Sequence, residues 1–352
     1  MKGLSTTVIG SMPKPEYLQI PCWVKNGKEV IDFVKEYNTI MAGKHSEDIE
    51  NQLTRATHEV IDLQTDVGLK TITDGELRRE KYIYTFCRSL NGFDFVNTKK
   101  KICRNGAWEG LLPTIVSKVS HKEEPGFMAK EWKWSQNMSE RPIKVTVPGP
   151  MTIMDTFCDD FYSNDEELLN DLTKCINIEL KLLAEAGCKE IQVDEPVLMR
   201  YPEKALEFGI KYLSACIVEM PKEVFKTVHA CCGYPQYLDQ TDYEKADKGA
   251  YLKLATCLEN SGFDALSIED THRRNDPELF KAFKKIKVVL GVIDVVKSRV
   301  ETVEEIRQHI SDVLKYIPKE RLIIAPDCGM LFLPLDLAEQ KLTNMVKAAS
   351  LF

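Results

Sequence analysis

The sequence predicts an α/β protein, a (β/α)8 barrel of the TIM type, and three observations carry that expectation. Eight short runs rich in Val, Ile and Thr recur along the chain, as strands do. Most are separated by stretches with apolar residues at i, i+3 and i+4, the helical period. No GxGxxG turn is present, which weakens the alternative of an open, doubly wound sheet. Strands alternating with helices imply a parallel sheet, and eight such units imply one that closes on itself.

The runs are Thr6–Ser11, Lys70–Glu76, Ile143–Gly149, Glu190–Pro196, Lys226–Cys232, Ala265–Asp270, Lys287–Asp294 and Leu322–Cys328. Helical periodicity covers Asp48–Val67, Asp165–Ala186, Lys204–Met220, Lys245–Ser261, Pro277–Lys285, Val303–Tyr316 and Leu335–Ala349. Two regions break the rhythm. Pro21–Lys44 is expected to cover a barrel end. Leu90–Arg141, with Trp108, Trp132 and Trp134, contains alternating pieces (LLPTIVSKV and AKEWKW) that suggest a small hairpin excursion. It is too short to bury a large core of its own and reads as an insertion between strands two and three. One catalytic domain over residues 1–352 is therefore expected, with 90–141 inserted in it.

Composition narrows the function. The 352 residues exceed the roughly 250 that such a barrel needs. Hydrophobic residues at 43% supply a core, and a net charge of -7 argues against nucleic acid, which favours a basic face. No apolar run approaches the roughly 18 residues of a membrane span, and the N-terminal stretch lacks a signal-like apolar segment. Eleven cysteines in a chain of this size, without a secretory signal, suggest reduced thiols and a cytoplasmic protein.

Most of the strand runs end in polar residues: Ser11, Asp74 and Glu76, Asp194 and Glu195, His229 with Cys231, Glu269 and Asp270, Asp294, and Asp327 with Cys328. The carboxyl ends of the strands are where such barrels assemble active sites. His229 and Cys231 are two apart on a strand and face one side, so both can enter one site. Imidazole and thiolate are zinc donors, and Cys328 and Glu269 are available from other strands. Alone, His229 and Cys231 would read as a core histidine and a small buried hydrophobe; Cys328 at the same rim favours a metal. Zinc would deprotonate a substrate thiol, whose ordinary pKa is about 8.5, provided one ligand, Glu269, can yield its place. Glu76 and Asp194 can hold an ammonium group, do acid–base work, or pair with Arg78, Arg79 or Arg200. The backbone of Ile9 and Gly10 with the Ser11 hydroxyl can receive a carboxylate. Cys232 faces away and reads as structural.

The segments TTVIGSMPKP, TDGELRRE, VPGPMTI, IQVDEPVL, HACCG, ALSIED, LGVIDVVKSRVET and APDCGM, in this order from residue 6 to 330, resemble the zinc-dependent, cobalamin-independent methionine synthase catalytic domain and its single-barrel relatives. The resemblance implies methyl transfer to homocysteine, with His229, Cys231, Glu269 and Cys328 as Zn2+ ligands and Ile9, Ser11, Glu76 and Asp194 holding the amino-acid end of the substrate. Asp294, the Asp of the family's seventh-strand G-V-x-D-x segment, is retained and is implied as a catalytic residue. Three departures bear on the donor. The two-barrel members carry a further N-terminal barrel that is not read here. Thr156 stands where folate-using members have a pterin-stacking Trp, and Val296 where they have an acid His. A methylcorrinoid, free or on a corrinoid protein, needs neither group and is expected as donor in place of methyltetrahydrofolate. Alkyl transfer to another thiol such as coenzyme M, or a non-catalytic metal- or thiol-binding barrel, are the other readings.

Overall fold

Seven of the eight predicted runs pair into one curled parallel sheet in a computed structural model describing residues 3–18, 20, 33–42, 46–103, 108–122, 126–235 and 237–352. In chain order the strands are β1 (Ser5–Thr6), β2 (Leu90–Cys103), β3 (Trp108–His121), β4 (Val145–Pro148), β5 (Cys158–Asp159), β6 (Glu190–Asp194), β7 (Phe225–His229), β8 (Ala265–Ile268), β9 (Lys287–Gly291) and β10 (Leu322–Ala325). The large sheet runs β1-β10-β9-β8-β7-β6-β4. Its strands are buried along nearly their whole length, as expected of a parallel sheet covered on both faces. The remaining run, Lys70–Glu76, touches both edges. The Lys70 and Thr71 amides donate to Thr6 O on β1, and Ile72 bridges Ile143 in parallel sense just before β4.

Two apolar layers result. Ile9, Ala265, Val289 and Ala325 form a small cluster inside the curl. The main core lies between sheet and helices. Polar side chains share the interior: Lys144 donates from Nζ to Val8 O and Gln192 Oε1, and Gln192 Nε2 donates to Ile9 O and Asp194 Oδ1. Burial pulls the Lys144 ammonium down to about 8.

The helices follow local signals. Asp165–Ala186 starts at Asn164, whose side chain accepts from the Glu167 amide, and carries three acids in its first turn. Val303–Val313 opens with a capping box between Thr302 and Glu305. Two expectations change. The Lys204–Met220 stretch is broken into Pro202–Lys204, a π turn over Ala205–Gly209 and Ile210–Ala215. The AKEWKW piece is not a hairpin strand but part of the helix Phe127–Gln136, which buries Met128, Trp132 and Ser135 at helical spacing. The hairpin itself exists: β2 and β3, of 14 residues each, pair antiparallel with irregularities at Asn91–Phe93 and Asp94–Lys99, and β5 adds to β3. Tyr84, Phe93, Phe95 and Phe157 pack edge to face or tilted at its base. Most of Pro21–Lys44 lies outside the described residues; its described part is mainly the helix Phe33–Met41, whose Asn38 donates to Phe95 O. Every cysteine whose side chain is described is free. Among the described residues no helix is long and apolar enough to cross a membrane.

The strands are shorter than predicted: Asp194 and His229 are the last residues of β6 and β7, and the other polar rim residues lie beyond their strands. Ser11, Glu269, Asp294 and Cys328 all follow the last paired residue of their run. The chain stops pairing there and turns side chains into the mouth of the curl. Glu195, just past β6, is fully buried and accepts from the Met151 and Thr152 amides, at 3.0 and 2.7 Å, and from the Thr152 hydroxyl. It thereby clamps the helix Pro150–Thr156 to the strand. Gly149 must be glycine here, because a Cβ would overlap the Glu195 carboxylate.

Glu195→Ala leaves two amides and a hydroxyl without an acceptor, so urea unfolding at pH 7 should show a loss of about 2–4 kcal/mol; an unchanged midpoint would discard the clamp. Burial raises the Glu195 carboxyl to about 7. A raised folded pKa means that its contribution is complete below the unfolded value of about 4.5 and lost as pH rises through 7. Glu195→Gln should therefore flatten the decline of stability between pH 5 and 8, by up to about 1.4 kcal/mol per pH unit.

Candidate active site

Three side chains from two separated strand ends converge at the carboxyl rim of the sheet. His229 ends β7, Cys231 follows two residues later, and Cys328 lies three residues beyond β10. One ligand atom from each falls within 4.8 Å of the other two. Cys328 Sγ is 3.5 Å from His229 Nε2. A tetrahedral zinc with bonds of about 2.0–2.1 Å to nitrogen and 2.3 Å to sulfur sets that edge at about 3.5 Å, so the separation suits this donor set. His229 Nδ1 is 3.0 Å from Ser267 Oγ, which leaves Nε2 directed at the sulfurs.

The electrostatics of the trio are those of a shared thiolate. Hydrogen bonds from Cys328, and then from His229, hold the Cys231 thiol well below its ordinary range against burial. The Cys328 thiol is pushed well above its range, first by its hydrogen bond to Cys231 and then by burial. Burial lowers the His229 imidazole, but the hydrogen bond and charge of Cys231, with Asp194 and Glu269 behind them, outweigh it and raise it.

Glu269, directly after β8, is not one of the three. Its buried Oε2 has no well-aligned hydrogen-bond donor among the described residues and lies 3.2 Å from His272 Nε2 and 3.9 Å from Lys245 Nζ. A buried carboxylate oxygen without an aligned donor, near two thiols and an imidazole, fits the donor set a metal would need. Its carboxyl is raised, mainly by burial and in part by Cys231, whose charge it feels. Burial lowers the His272 imidazole, but Asp327 and Glu269 overcome this and lift it to about 9.

Asp194 and Glu76 form the other half of the rim. Asp194 Oδ1 accepts from Gln192 at 2.7 Å, and burial, reinforced by the Glu76 charge, raises its carboxyl to about 7. Glu76 has φ +56, a left-handed backbone costing about 1–2 kcal/mol for a non-glycine residue. The Asp74 side chain accepts from its amide at 2.9 Å and supports that turn, which sends the carboxylate against Gly10 and the Thr146 hydroxyl. Strain of this kind collects at functional sites. Arg79 NH1 is 3.5 Å from Glu76, so the arginine pairing considered from sequence is present for Glu76, while Arg200 pairs with Asp155 at 3.6 Å. Ser11 packs on Gly329, and its carbonyl accepts from the Met330 amide. A Cβ on Gly329 would overlap the Ser11 hydroxyl, so glycine lets the first and last loops meet. Ile9 is buried with its carbonyl engaged by Gln192. Asp294 is half-buried, accepts from the Val296 amide at 3.0 Å, and is felt by Lys245 and Tyr243 rather than by the trio.

Sequence reasoning missed Tyr82, Lys245 and Ser267. Burial, then the charges of Asp194, Cys231 and Glu76, push the Tyr82 phenol well above its range, placing it between the two halves. Ser267 was legible in ALSIED, since it shares a strand face with Glu269. Lys245 opens a stretch of helical periodicity but lies before the helix Ala250–Glu259 that forms there, and Tyr82 begins the short helix Tyr82–Arg88, which no periodic run had marked. A cavity of about 380 Å³ opens at the opposite, amino end of the strands, among Lys144, Glu190, Thr227 and Lys287. It shares no residue with the rim and has no comparable donor set.

Comparison with known proteins identifies the family. The family model described as "Cobalamin-independent synthase, Catalytic domain" matches residues 4–217 and 251–351. The chain is 31% identical over 350 residues to a methionine synthase of Sulfurisphaera tokodaii, covering 99% of this chain and 92% of that protein. It is 32% identical over 351 residues to a methionine synthase of Sulfolobus acidocaldarius, covering 98% and 91%. A solved B12-independent methionine synthase from Shewanella sp. W3-18-1, in complex with selenomethionine, superposes with a TM-score of 0.85 at 28% identity, covering 99% of this chain and 97% of that one. This chain belongs to the cobalamin-independent methionine synthase family, through its catalytic domain.

Proposed function

We propose that this chain is a zinc-dependent methyltransferase that moves a methyl group to the thiol of homocysteine and forms methionine. Family membership supports the reaction class. The observation that carries the metal is the approach of His229, Cys231 and Cys328 to within 4.8 Å. Glu269 is the fourth, exchangeable ligand in this reading. Bound there, Zn2+ supplies the positive charge that keeps a substrate thiol deprotonated and nucleophilic at neutral pH. Ser267 holds the His229 ring so that Nε2 faces the cysteines. Asp194, oriented by Gln192, and Glu76, supported by Thr146, take the substrate ammonium. Ser11 and the backbone around Ile9 take its carboxylate. The relative solved with selenomethionine supports an amino-acid subsite of this kind. Asp294 is the candidate acid or positioning group on the donor side.

We read the scaffold as a single (β/α)8 barrel over residues 1–352. Lys70–Glu76 is its second strand, closing the sheet between β1 and β4, and residues 90–141 are inserted after it. A cytoplasmic setting suits the free thiols. The donor is a methylcorrinoid, free or carried by a corrinoid protein. Thr156 has no ring to stack on a pterin, and its hydroxyl is engaged by Thr152 O at 2.7 Å. Val296, buried beside Asp294, has no proton to give a folate leaving group.

Metal analysis of the purified protein should find about one zinc per chain. The Cys231→Ser, Cys328→Ser double variant should lose metal and activity together while keeping its circular dichroism, and stoichiometric zinc in that variant would discard the ligand set. Asp194→Asn and Glu76→Gln should each weaken homocysteine binding roughly ten- to a hundredfold, with zinc retained, because a charge-assisted bond to the ammonium is lost. A thiol lacking the amino group should be nearly unaffected; equal losses for both thiols would make the carboxylates scaffolding. With homocysteine supplied, methionine should form faster from methylcobalamin than from methyltetrahydrofolate. Thr156→Trp with Val296→His should raise the folate rate, general acid help being worth about 10²–10⁴. Efficient folate turnover by the parent protein would overturn the donor assignment.

A further inference from the structure

Glu269 stands apart from the three side chains it is expected to join, in a defined place. His272 Nε2, 3.2 Å away, and Lys245 Nζ, 3.9 Å away, flank its buried Oε2. Both flanking groups are themselves anchored. His272 Nδ1 is 2.8 Å from Asp327 Oδ2, and Asp327 Oδ1 accepts from the Asp270 and Thr271 amides at 2.9 and 3.0 Å. Lys245 Nζ meets His272 Nε2 from a separate segment, before the helix Ala250–Glu259. Asp327 directly precedes Cys328, so the chain Asp327–His272–Glu269 links the loops after β10 and β8. The Glu269 oxygen is held here by its two basic neighbours.

A fourth ligand that yields to a thiol becomes a buried carboxylate without its cation, which is costly unless a positive group receives it. We propose that Lys245 and His272 form a seat that receives the Glu269 carboxylate when a substrate thiolate takes its coordination position. In the exchange the thiol S–H bond breaks, its proton passes to water, sulfur occupies the vacated position, and the Glu269 oxygen moves onto the seat; nothing is oxidised or reduced. Lys245 and His272 are positioning residues: they act through Glu269. The inference rests on the reading of Glu269 as fourth ligand.

The seat stabilises the displaced carboxylate, so removing it should tighten zinc and weaken the thiol. Lys245→Met and His272→Gln are compared with the parent by Zn2+ competition against a chromophoric chelator and by L-homocysteine titration of the zinc protein. Zinc should bind about three- to tenfold tighter and homocysteine about tenfold weaker. In the Co2+-substituted variants, the visible spectrum should respond to homocysteine only at correspondingly higher concentration. A merely structural role would lower both affinities together, and that result, or no change in either, overturns the seat. If His272→Gln does not fold, Lys245→Met reads the same pair of affinities from an independent segment. Glu269→Ala separates the two levels: weaker zinc binding keeps Glu269 as a ligand, whereas unchanged zinc affinity overturns the ligand reading and the seat with it.

Discussion

The curl of the parallel sheet is the constraint on which the site depends. β7 and β10 are separated by β8 and β9. In a flat sheet with strands about 4.8 Å apart they would lie about 14 Å from each other. Donor atoms following these two strands nonetheless come within 4.8 Å. Only a sheet that turns back on itself, with chains leaving its rim inward, permits this. The sheet strands end after two to five residues and leave Cys231, Glu269 and Cys328 free to turn into the mouth.

The same curvature creates an interior that must be filled, and the filling is partly polar. Lys144, Gln192 and Asp194 form a hydrogen-bonded thread from the middle of the curl to its rim. Each buried polar group in it finds a partner, as burial demands. The thread ends on the Asp194 carboxylate, so a packing requirement in the core also orients a group at the mouth. The rim is knitted in the same way by Asp327, His272 and Glu269 on one side and by Asp270 with His309 and Asn275 on the other. Preorganised charges of this sort need little rearrangement when a substrate arrives.

The acidic motifs divide between scaffolding and chemistry once their contacts are known. In DEP, Asp194 faces the mouth whereas Glu195 clamps the helix Pro150–Thr156 from inside the core. In SIED, Glu269 lies beside the thiols whereas Asp270 binds Asn275 and His309. Neighbouring carboxylates thus serve different ends because successive side chains leave the chain in opposite directions.

Much of this was legible in the primary structure. The eight apolar runs located the seven sheet strands and the bridging segment, because a doubly covered parallel strand needs an uninterrupted apolar run whatever surrounds it. Asp165–Ala186 and Leu335–Ala349 were legible to the residue from their periodicity. Polar residues at run ends, with H-x-C and a distant cysteine, singled out His229, Cys231 and Cys328 together with Glu269, which lies apart from the other three in the structure. The tertiary structure alone decided what depends on distance across the sheet. The Phe127–Gln136 helix shows the limit: over six residues, AKEWKW fits either period, and Trp132 packing toward Ile143 selects one. Tyr82, Lys245 and the place of Glu269 beside His272 belong to the same category. Local sequence sets which conformations a segment prefers, but which groups meet is set by the curl of the sheet, which brings together residues far apart in the chain, Ser11 and Gly329 among them.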